Sequence, residues 1–177
     1  MLRVGLGRKF AVTSRARDSS TPICPARRGD EGLILTLLRE LAEYENLLPI
    51  FSMSEASIAR DFFGTSPACH GDLAFENGQP IGVATWYWTF SSFRSVRGIY
   101  LEDLYVRDAV RGRGYGKALL AHLARTAQDS GGAYVSWSVL DWNKPSIEFY
   151  ERLGAKRVTG WLVYQIDGQP LARLANG

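Results

Sequence analysis

The chain has 177 residues, is 46% hydrophobic and carries 21 basic and 18 acidic side chains, for a formal net charge of +3. This length is enough for one well-buried domain, and no run approaches the 18 apolar residues of a membrane helix. Two cysteines and two histidines (Cys24, Cys69, His70 and His122) are too few for a disulfide framework or a zinc site. We therefore expect no metal, no membrane partner, and reduced thiols in a cytoplasmic protein.

Positive charge is concentrated at the N-terminus. Residues 1–28 hold seven of the basic side chains and one acidic one, which leaves 14 basic and 17 acidic side chains in residues 29–177, a net charge of −3. A mildly acidic body makes nucleic acid a poor partner. We expect residues 1–21 to be a basic, disordered extension, with a start-site error or a transit peptide as alternatives, and residues 22–177 to form the single domain.

In the first half of the chain, hydrophobic periodicity predicts a strand, two helices and a hairpin. The predicted ranges are Pro22–Arg27 for the strand, about Asp30–Tyr44 and Ser54–Phe63 for the helices, and Asp72–Glu76 with Ile81–Phe90 for the hairpin. Asn77 and Gly78 connect the hairpin strands, and both residue types tolerate the positive φ of a tight turn.

The second half predicts strands and helices in alternation. The predicted ranges are a strand at Ile99–Val106, a helix at Ala118–Ser130, a strand at Ala133–Leu140, a helix at Pro145–Leu153 and a strand at Trp161–Ile166. The strand at Ala133–Leu140 is expected beside the strand at Ile99–Val106. The pattern therefore predicts one mixed α/β domain.

The most informative motif lies between the strand at Ile99–Val106 and the helix that follows it. It consists of Arg111, Gly112, Arg113, Gly114, Tyr115, Gly116 and Lys117. Three alternate glycines lack Cβ atoms, so backbone N–H groups can approach one anion at the positive end of the helix. The arginines and the lysine add mobile positive charge, which favours a pyrophosphate. The alternative is a tight corner without a ligand, and the spacing matches neither a P-loop nor a dinucleotide fingerprint.

Together with two further segments, this loop resembles the GNAT acyltransferase superfamily. The segments are the strand Leu101–Val106, which precedes the loop, and Trp142–Tyr150, which reads Trp-Asn-Lys-Pro-Ser-Ile-Glu-Phe-Tyr. Within that superfamily, Glu40–Glu45 and Tyr100–Asp103 are similar to the spermidine/spermine and thialysine (diamine) N-acetyltransferase branch. The resemblance covers about residues 22–174. It implies a central, mostly antiparallel sheet, splayed at its fourth and fifth strands and flanked by helices.

The resemblance also implies acetyl-CoA as the acetyl donor. The backbone of Arg111 through Lys117 would hold the pyrophosphate. Main-chain groups of Leu104, Tyr105 and Val106 would face the pantetheine arm, and Asn143, Lys144, Pro145 and Ser146 would line its other side.

Two side chains are candidates for the chemistry. An alkylammonium with a pKa of about 10.4 must lose a proton before it attacks a thioester, and Glu102 is the candidate base or substrate anchor; an ordinary salt bridge is the alternative. Adjacent Asp103 should point to the opposite side of a regular strand. Tyr150 is the candidate acid that protonates the departing thiolate, and its alternative is a core aromatic.

For the acceptor, the resemblance implies that Tyr44 and Glu45 face the amine, together with Glu102. The expected function is therefore transfer of acetyl to a primary amine of a small cationic acceptor such as a diamine, polyamine or lysine analogue. The alternatives are a protein N-terminus, an amino acid or an aminoglycoside as acceptor, or a CoA-binding module without catalysis. Lys156 and Arg157 precede Trp161 where the branch often carries acids, which argues against long polyamines.

The resemblance further implies a homodimer formed through late strands and C-terminal segments. The apolar run Trp161, Leu162, Val163 and Tyr164 has enough surface for such a contact. A place in the core explains the same residues equally well.

Overall fold

The computed structural model describes residues 22–177. The predicted extension at residues 1–21 therefore lies outside the described residues. The chain divides into two compact units, one up to Ser138 and one comprising Val139–Gly177. The first unit holds a five-stranded sheet with strands β1 (Ile23–Pro25), β2 (His70–Glu76), β3 (Gln79–Ser91), β4 (Val96–Val106) and β5 (Tyr134–Ser136).

The sheet follows chain order from β1 to β5, and its neighbours are antiparallel except for β4 and β5. The tight turn between β2 and β3 is confirmed, because Asn77 and Gly78 have φ values of +51° and +77°. The predicted adjacency of β5 and β4 is confirmed as well. Their parallel pairing covers only Gly98–Tyr100 on β4, so the strand continues to Val106 with no β5 partner on that edge. The mixed, mostly antiparallel sheet agrees with the expected fold class.

Three helices of the first unit cover the sheet: α1 (Glu31–Tyr44), α2 (Glu55–Asp61) and α3 (Tyr115–Asp129). Single turns of 3-10 helix lie at Leu48–Ile50 and Asp108–Val110. The predicted α2 begins as the sequence suggests, because the side chains of Ser54 and Ser57 and their backbone N–H groups form a reciprocal capping box.

The two faces of the sheet carry separate cores, because successive strand residues point to opposite faces. Leu73 and Val83 pack with α1 and α2, whereas their neighbours Ala74 and Ala84 pack in the cluster that contains α3. All four of these side chains are buried. The helix after the glycine-rich loop is thus fixed on one face of the sheet, opposite α1.

A buried polar contact also joins α3 to the sheet. Asp72 on β2 accepts a hydrogen bond from Trp86 Nε1 at 2.7 Å, and its other oxygen lies 3.1 Å from His122 Nε2 on α3. The Asp72 side chain is 3% exposed. Both of its oxygens have partners, as a buried carboxylate requires.

The second unit contains α4 (Lys144–Arg152) and α5 (Gly168–Ala175). Helix α4 agrees with its prediction within one residue at each end, whereas α5 was not predicted. The predicted strand at Trp161–Ile166 is wrong, because these residues form no regular element. A strand needs a ladder partner, and residues 22–177 provide none for this run. In the described range, no helix is long and apolar enough to cross a membrane.

Candidate functional site

The glycine-rich loop turns sharply into α3. Gly112 and Gly114 have φ values of +79° and +89°, a region that costs residues with a Cβ roughly 1–2 kcal/mol. Gly114 is the N-cap, so α3 begins at Tyr115, three residues before the predicted start. Gly116 is therefore helical rather than part of the turn. The N–H groups of the first helical turn have no acceptor within the helix, which leaves them directed at the space before it.

The arginines of the loop are held by the protein itself. Arg111 contacts Asp108 Oδ1 at 2.7 Å and donates from Nε to the carbonyl of Val106 at 3.0 Å. Arg113 contacts the Glu76 carboxylate at 3.1 and 3.2 Å. The sequence suggested mobile positive charge at these positions, whereas the structure fixes both guanidinium groups. Lys117 lies in the first turn of α3 and is exposed.

The strand before the loop has one paired and one open edge. Leu104, Tyr105 and Val106 are registered with Ala84, Val83 and Gly82 of β3. On the other edge β5 ends its pairing at Tyr100. The three residues predicted to meet a pantetheine arm therefore border an unpaired strand edge, and the Val106 carbonyl already accepts from Arg111.

The candidate base lies at an irregularity of β4. Leu101 pairs with Trp86 and Asp103 pairs with Thr85, so Glu102 has no partner on β3 and forms a bulge. Asp103 accepts a hydrogen bond from the Thr85 hydroxyl. The strand is therefore irregular here, so the condition under which Asp103 should point to the opposite side is not met. Burial, followed by the charge of Asp103, raises the pKa of Glu102.

Glu45 joins these two carboxylates to form an acidic cluster, which consists of Glu45, Glu102 and Asp103. Glu45 is the C-cap of α1, and burial followed by the charge of Asp103 raises its pKa. Burial also raises the pKa of Asp103, and the Thr85 hydrogen bond opposes that shift. Across residues 22–177, no ion pair involves any of the three. The cluster is thus a partly desolvated set of negative charges, suited to a cation.

Tyr44 contacts the glycine-rich loop. The Arg111 guanidinium is 4.8 Å from the centre of its ring, which is cation–π distance. The predicted substrate residues Tyr44 and Glu45 are adjacent in sequence. Tyr44 contacts the loop, whereas the charge of Asp103 acts on Glu45.

Aromatic and thiol groups surround the acidic cluster. The rings of Tyr87 and Tyr100 stack at 5.2 Å, and the Tyr100 hydroxyl is 2.8 Å from Ser138 Oγ. Burial, followed by the charge of Glu102, raises the pKa of Tyr87, and burial raises the pKa of the Cys69 thiol to about 11. Cys69 is thus a protonated neighbour of the cluster. The sequence does not identify Tyr87 and Asp103 as neighbours of Glu102. They lie on the two strands whose register shifts at Glu102, and such a bulge leaves no clear sequence signal.

The predicted site residues of the second unit lie on α4, four of them at its start (residues 143–146) and Tyr150 near its end. Asn143 is buried, and its side chain accepts a hydrogen bond from the Ser146 N–H at 3.3 Å as the N-cap. Pro145 occupies the first turn, where its missing N–H costs nothing. Tyr150 is half-buried on the same helix, with its ring 5.2 Å from that of Phe149.

In the part of the chain that the structure describes, no group of three or more histidine, cysteine or acidic side chains is arranged to hold a metal ion. The carboxylates of the acidic cluster come from two elements, the C-terminal end of α1 and the bulge of β4.

Solved structures share this architecture. An integron cassette protein from the mobile metagenome of V. cholerae superimposes with a TM-score of 0.74, covering 88% of this chain and 97% of the other at 24% identity. A ribosomal-protein-alanine N-acetyltransferase from Brucella melitensis shares the fold at 19% identity, with a TM-score of 0.66, covering 84% of this chain and 100% of the other. The sequence model of the acetyltransferase (GNAT) family matches residues 36–155. The chain belongs to that family.

Curated relatives extend over most of the chain. Thialysine N-epsilon-acetyltransferase from Bos taurus is 37% identical over 161 residues, which is 85% of this chain and 94% of the relative. Spermidine/spermine N(1)-acetyltransferase-like protein 1 from Homo sapiens is 32% identical, covering 85% of this chain and 23% of that longer protein. The sequence-based assignment to this branch of the family is confirmed.

Proposed function

We propose that the chain transfers an acetyl group from acetyl-CoA to a primary amine of a small cationic acceptor, by direct attack of the amine. The acidic cluster carries the proposal. It places three carboxylates on one strand bulge and one helix end, with raised pKa values and no cationic partner among the described residues. Relatives named for acetylation of thialysine support the same acceptor class.

The donor half of the proposal rests on backbone groups. The first-turn N–H groups of α3 and the glycine backbone before them would hold the pyrophosphate, with Lys117 as an additional cation. The open edge of Leu104–Val106 would offer main-chain groups to the pantetheine arm, and the turn Asn143–Ser146 would do the same from the second unit. Bound acetyl-CoA supplies the thioester carbonyl that the amine attacks.

We assign Glu102 to the ammonium group of the acceptor. A carboxylate without a partner in the strand ladder can attract the ammonium and accept its proton, directly or through water. Glu102 itself is exposed, whereas the neighbouring carboxylates Asp103 and Glu45 are half-buried, where charges interact more strongly than in bulk water. Asp103 and Glu45 add to the negative potential, so a second positive charge on the acceptor is also favoured.

We assign Tyr150 the role of acid. A neutral phenol with a pKa of about 10 can donate a proton to the departing thiolate, whose conjugate acid has a pKa of about 8.5. Replacing Tyr150 by Phe should lower kcat at least tenfold and leave the KM for acetyl-CoA nearly unchanged. Tyr134→Phe is the matched control, because Tyr134 lies on β5, outside the proposed sites. Unchanged turnover in Tyr150→Phe would remove this residue from the mechanism.

A panel of acceptors tests the proposed reaction. The full chain is incubated with acetyl-CoA and thialysine, ornithine, a short diamine, spermidine, an aminoglycoside and an N-terminal peptide, and the released thiol is measured. Turnover concentrated on thialysine, ornithine or the diamine is expected. Turnover only with the aminoglycoside or the peptide would replace the acceptor class, and tight CoA binding with no turnover would contradict an enzymatic role.

Self-association through the apolar run at residues 161–164 and a cytoplasmic location are further parts of the proposal. Trp161, Leu162, Val163 and Tyr164 are 77%, 80%, 95% and 86% exposed, and monomeric proteins seldom leave such a patch uncovered. A second copy of the chain is the occupant we propose. Two cysteines are too few for a disulfide framework, and this supports the proposed reducing compartment. Sedimentation at micromolar concentration should give a dimer that becomes a monomer when Trp161 and Val163 are changed to Asp; a wild-type monomer would contradict it.

A further inference from the structure

Glu76 reaches the glycine-rich loop from a distant part of the sequence. It is the last residue of β2 and precedes the Asn77–Gly78 turn. Its carboxylate lies 3.1 and 3.2 Å from Arg113 Nη1 and accepts a hydrogen bond from the Tyr115 hydroxyl at 2.8 Å. These two partners are the residues immediately before and after Gly114.

Gly114 needs such a restraint. Its φ of +89° is accessible only because it has no Cβ, and Gly112 is likewise in the left-handed region with a φ of +79°. Among residues 22–177, and apart from each glycine and its sequence neighbours, no heavy atom lies within 4 Å of the position where a Cβ of Gly112 or Gly114 would be. Packing there does not fix either residue. Two unpacked glycines flank Arg113, and their conformational freedom must be lost when the loop holds a ligand.

Tyr115 provides a firm attachment for Glu76. Its ring packs against the core cluster that joins the sheet to α3, while its hydroxyl extends to the carboxylate. The hydrogen bond from Tyr115, followed by that from Arg113, holds the pKa of Glu76 below its ordinary value. The group is thus ionised at neutral pH, and its contacts are charge-assisted.

Arg113 is also held on its other side, because its Nη2 donates to the carbonyl of Ala109 at 3.4 Å. A guanidinium already engaged by a carboxylate and a carbonyl is a structural cross-link within the loop. The backbone N–H groups of the loop then remain as the ligand-binding groups.

We propose that Glu76 is a positioning residue for the acetyl donor: it holds the side chains on both sides of Gly114 and so keeps the loop backbone in its binding conformation before the donor arrives. The proposal rests on the function proposed above, in which this loop holds the pyrophosphate of acetyl-CoA. The binding free energy that would otherwise order the loop is then available to hold the ligand.

Steady-state kinetics of the full chain test this role. Glu76→Ala removes both contacts and should raise the KM for acetyl-CoA about fivefold with kcat within about twofold of wild type. Glu76→Gln, which can still accept from Tyr115, and Tyr115→Phe, which keeps the packed ring, should each give an intermediate rise. Asp61→Asn, which disrupts an exposed pair with Arg60 on α2, is the control and should change nothing.

Hydrogen exchange of the unliganded protein gives a second readout that does not depend on activity. The amides of residues 112–117 should exchange faster in Glu76→Ala and Tyr115→Phe than in wild type, while those of the sheet keep their rates. Should Glu76→Ala fail to fold, Tyr115→Phe decides the question alone, because it removes only a hydroxyl group.

Gly114→Val distinguishes a failure of the loop assignment from a failure of the positioning role of Glu76. If Gly114→Val raises the KM for acetyl-CoA and the Glu76 and Tyr115 variants do not, the positioning role is wrong and the loop assignment stands. If Gly114→Val has no effect either, the loop assignment itself is wrong. A lower KM in Glu76→Ala would overturn the role of Glu76 by showing that it competes with the ligand for Arg113.

Discussion

The arginine side chains of the glycine-rich loop form ion pairs, whereas the carboxylates of the acidic cluster form none within the described residues. In the loop, Arg111 and Arg113 are neutralised by Asp108 and Glu76, which leaves ligand binding to backbone N–H groups. In the acidic cluster, the side chains themselves are the proposed binding groups, and no cation in residues 22–177 neutralises them. The first region is complete without a ligand, whereas the second has its charge balanced only when a cation arrives.

This difference assigns separate tasks to the two regions. A backbone site binds a group common to every reaction of the family, since it depends on chain conformation and little on side-chain identity. A side-chain site can change its acceptor through single substitutions at Glu45, Glu102 or Asp103. Variants of the two regions should therefore affect different kinetic constants.

The largest expected effect is at the acidic cluster. Glu102→Gln should lower kcat/KM for the amine about 100-fold, because the amide can neither attract the ammonium as an anion nor accept its proton. The KM for acetyl-CoA should stay within about twofold of wild type. Initial rates with each substrate varied separately measure both constants.

Glu43→Gln is the matched control, as Glu43 is an exposed carboxylate on α1 close in sequence to Glu45. If Glu102→Gln raised the KM for acetyl-CoA by as large a factor as it lowered kcat/KM for the amine, the two regions would not have separate tasks.

The loop should show the reverse pattern. Gly114→Val should raise the KM for acetyl-CoA at least tenfold, because a β-branched residue does not accept a φ of +89° and its side chain would occupy the approach to the N–H groups. The KM for the amine should be nearly unaffected.

Gly131→Val controls for strain alone. Gly131 has a φ of +73° just after the end of α3. Apart from its sequence neighbours, no residue of the described range comes within 4 Å of the position of an added Cβ. It should lose stability in a thermal melt without a change in the KM for acetyl-CoA. Equal kinetic effects in both variants would assign the loss to strain rather than to the loop.

The sequence predicts the parts of the fold that depend on local backbone preferences. The turn at Asn77–Gly78 and the cap at Ser54 follow from local backbone preferences, so their residue types identify them. The loop is recognised for the same reason, although the start of α3 at Tyr115 is missed, because Gly116 is a poor helix former and its place in the first turn is decided by tertiary packing.

The parts that the sequence does not predict depend on partners far along the chain. The bulge at Glu102 arises from the register of β4 against β3, which no local pattern encodes. Tyr115 and Glu76 are 39 residues apart, so their hydrogen bond is invisible in the sequence. The run at residues 161–166 has the composition of a strand but no ladder partner among the described residues, and composition alone cannot supply one.

A smaller effect concerns the pH dependence of the acidic cluster. The charge of Asp103 contributes to the raised pKa of Glu102, so Asp103→Asn should move that pKa down, towards its ordinary value. In wild type, kcat/KM for the amine should fall more steeply below the pKa of Glu102. In Asp103→Asn, this steeper fall should begin at a lower pH. A pH–rate profile measures this change, and a shift to higher pH would contradict the coupling.

The smallest expected effect is on stability, and it separates the half-buried Asp103 from the buried Asp72. Because burial raises the folded-state pKa of Asp103, its contribution to stability is present below the unfolded pKa and is lost as the pH rises through the folded value. Asp103→Asn removes that loss, and the amide can still accept from Thr85, so the Tm should rise by a few degrees at pH 7 and match wild type below about pH 4.

Asp72→Asn should behave oppositely at pH 7. The Asp72 carboxylate is contacted by Trp86 Nε1 and His122 Nε2, and an amide retains only one acceptor oxygen for these two partners. Its Tm should therefore fall, since a buried group is left poorly bonded. If both variants lower the Tm at neutral pH, Asp103 is as well satisfied as Asp72. The acidic cluster would then need no cation to balance its charge, which removes the main difference between it and the loop.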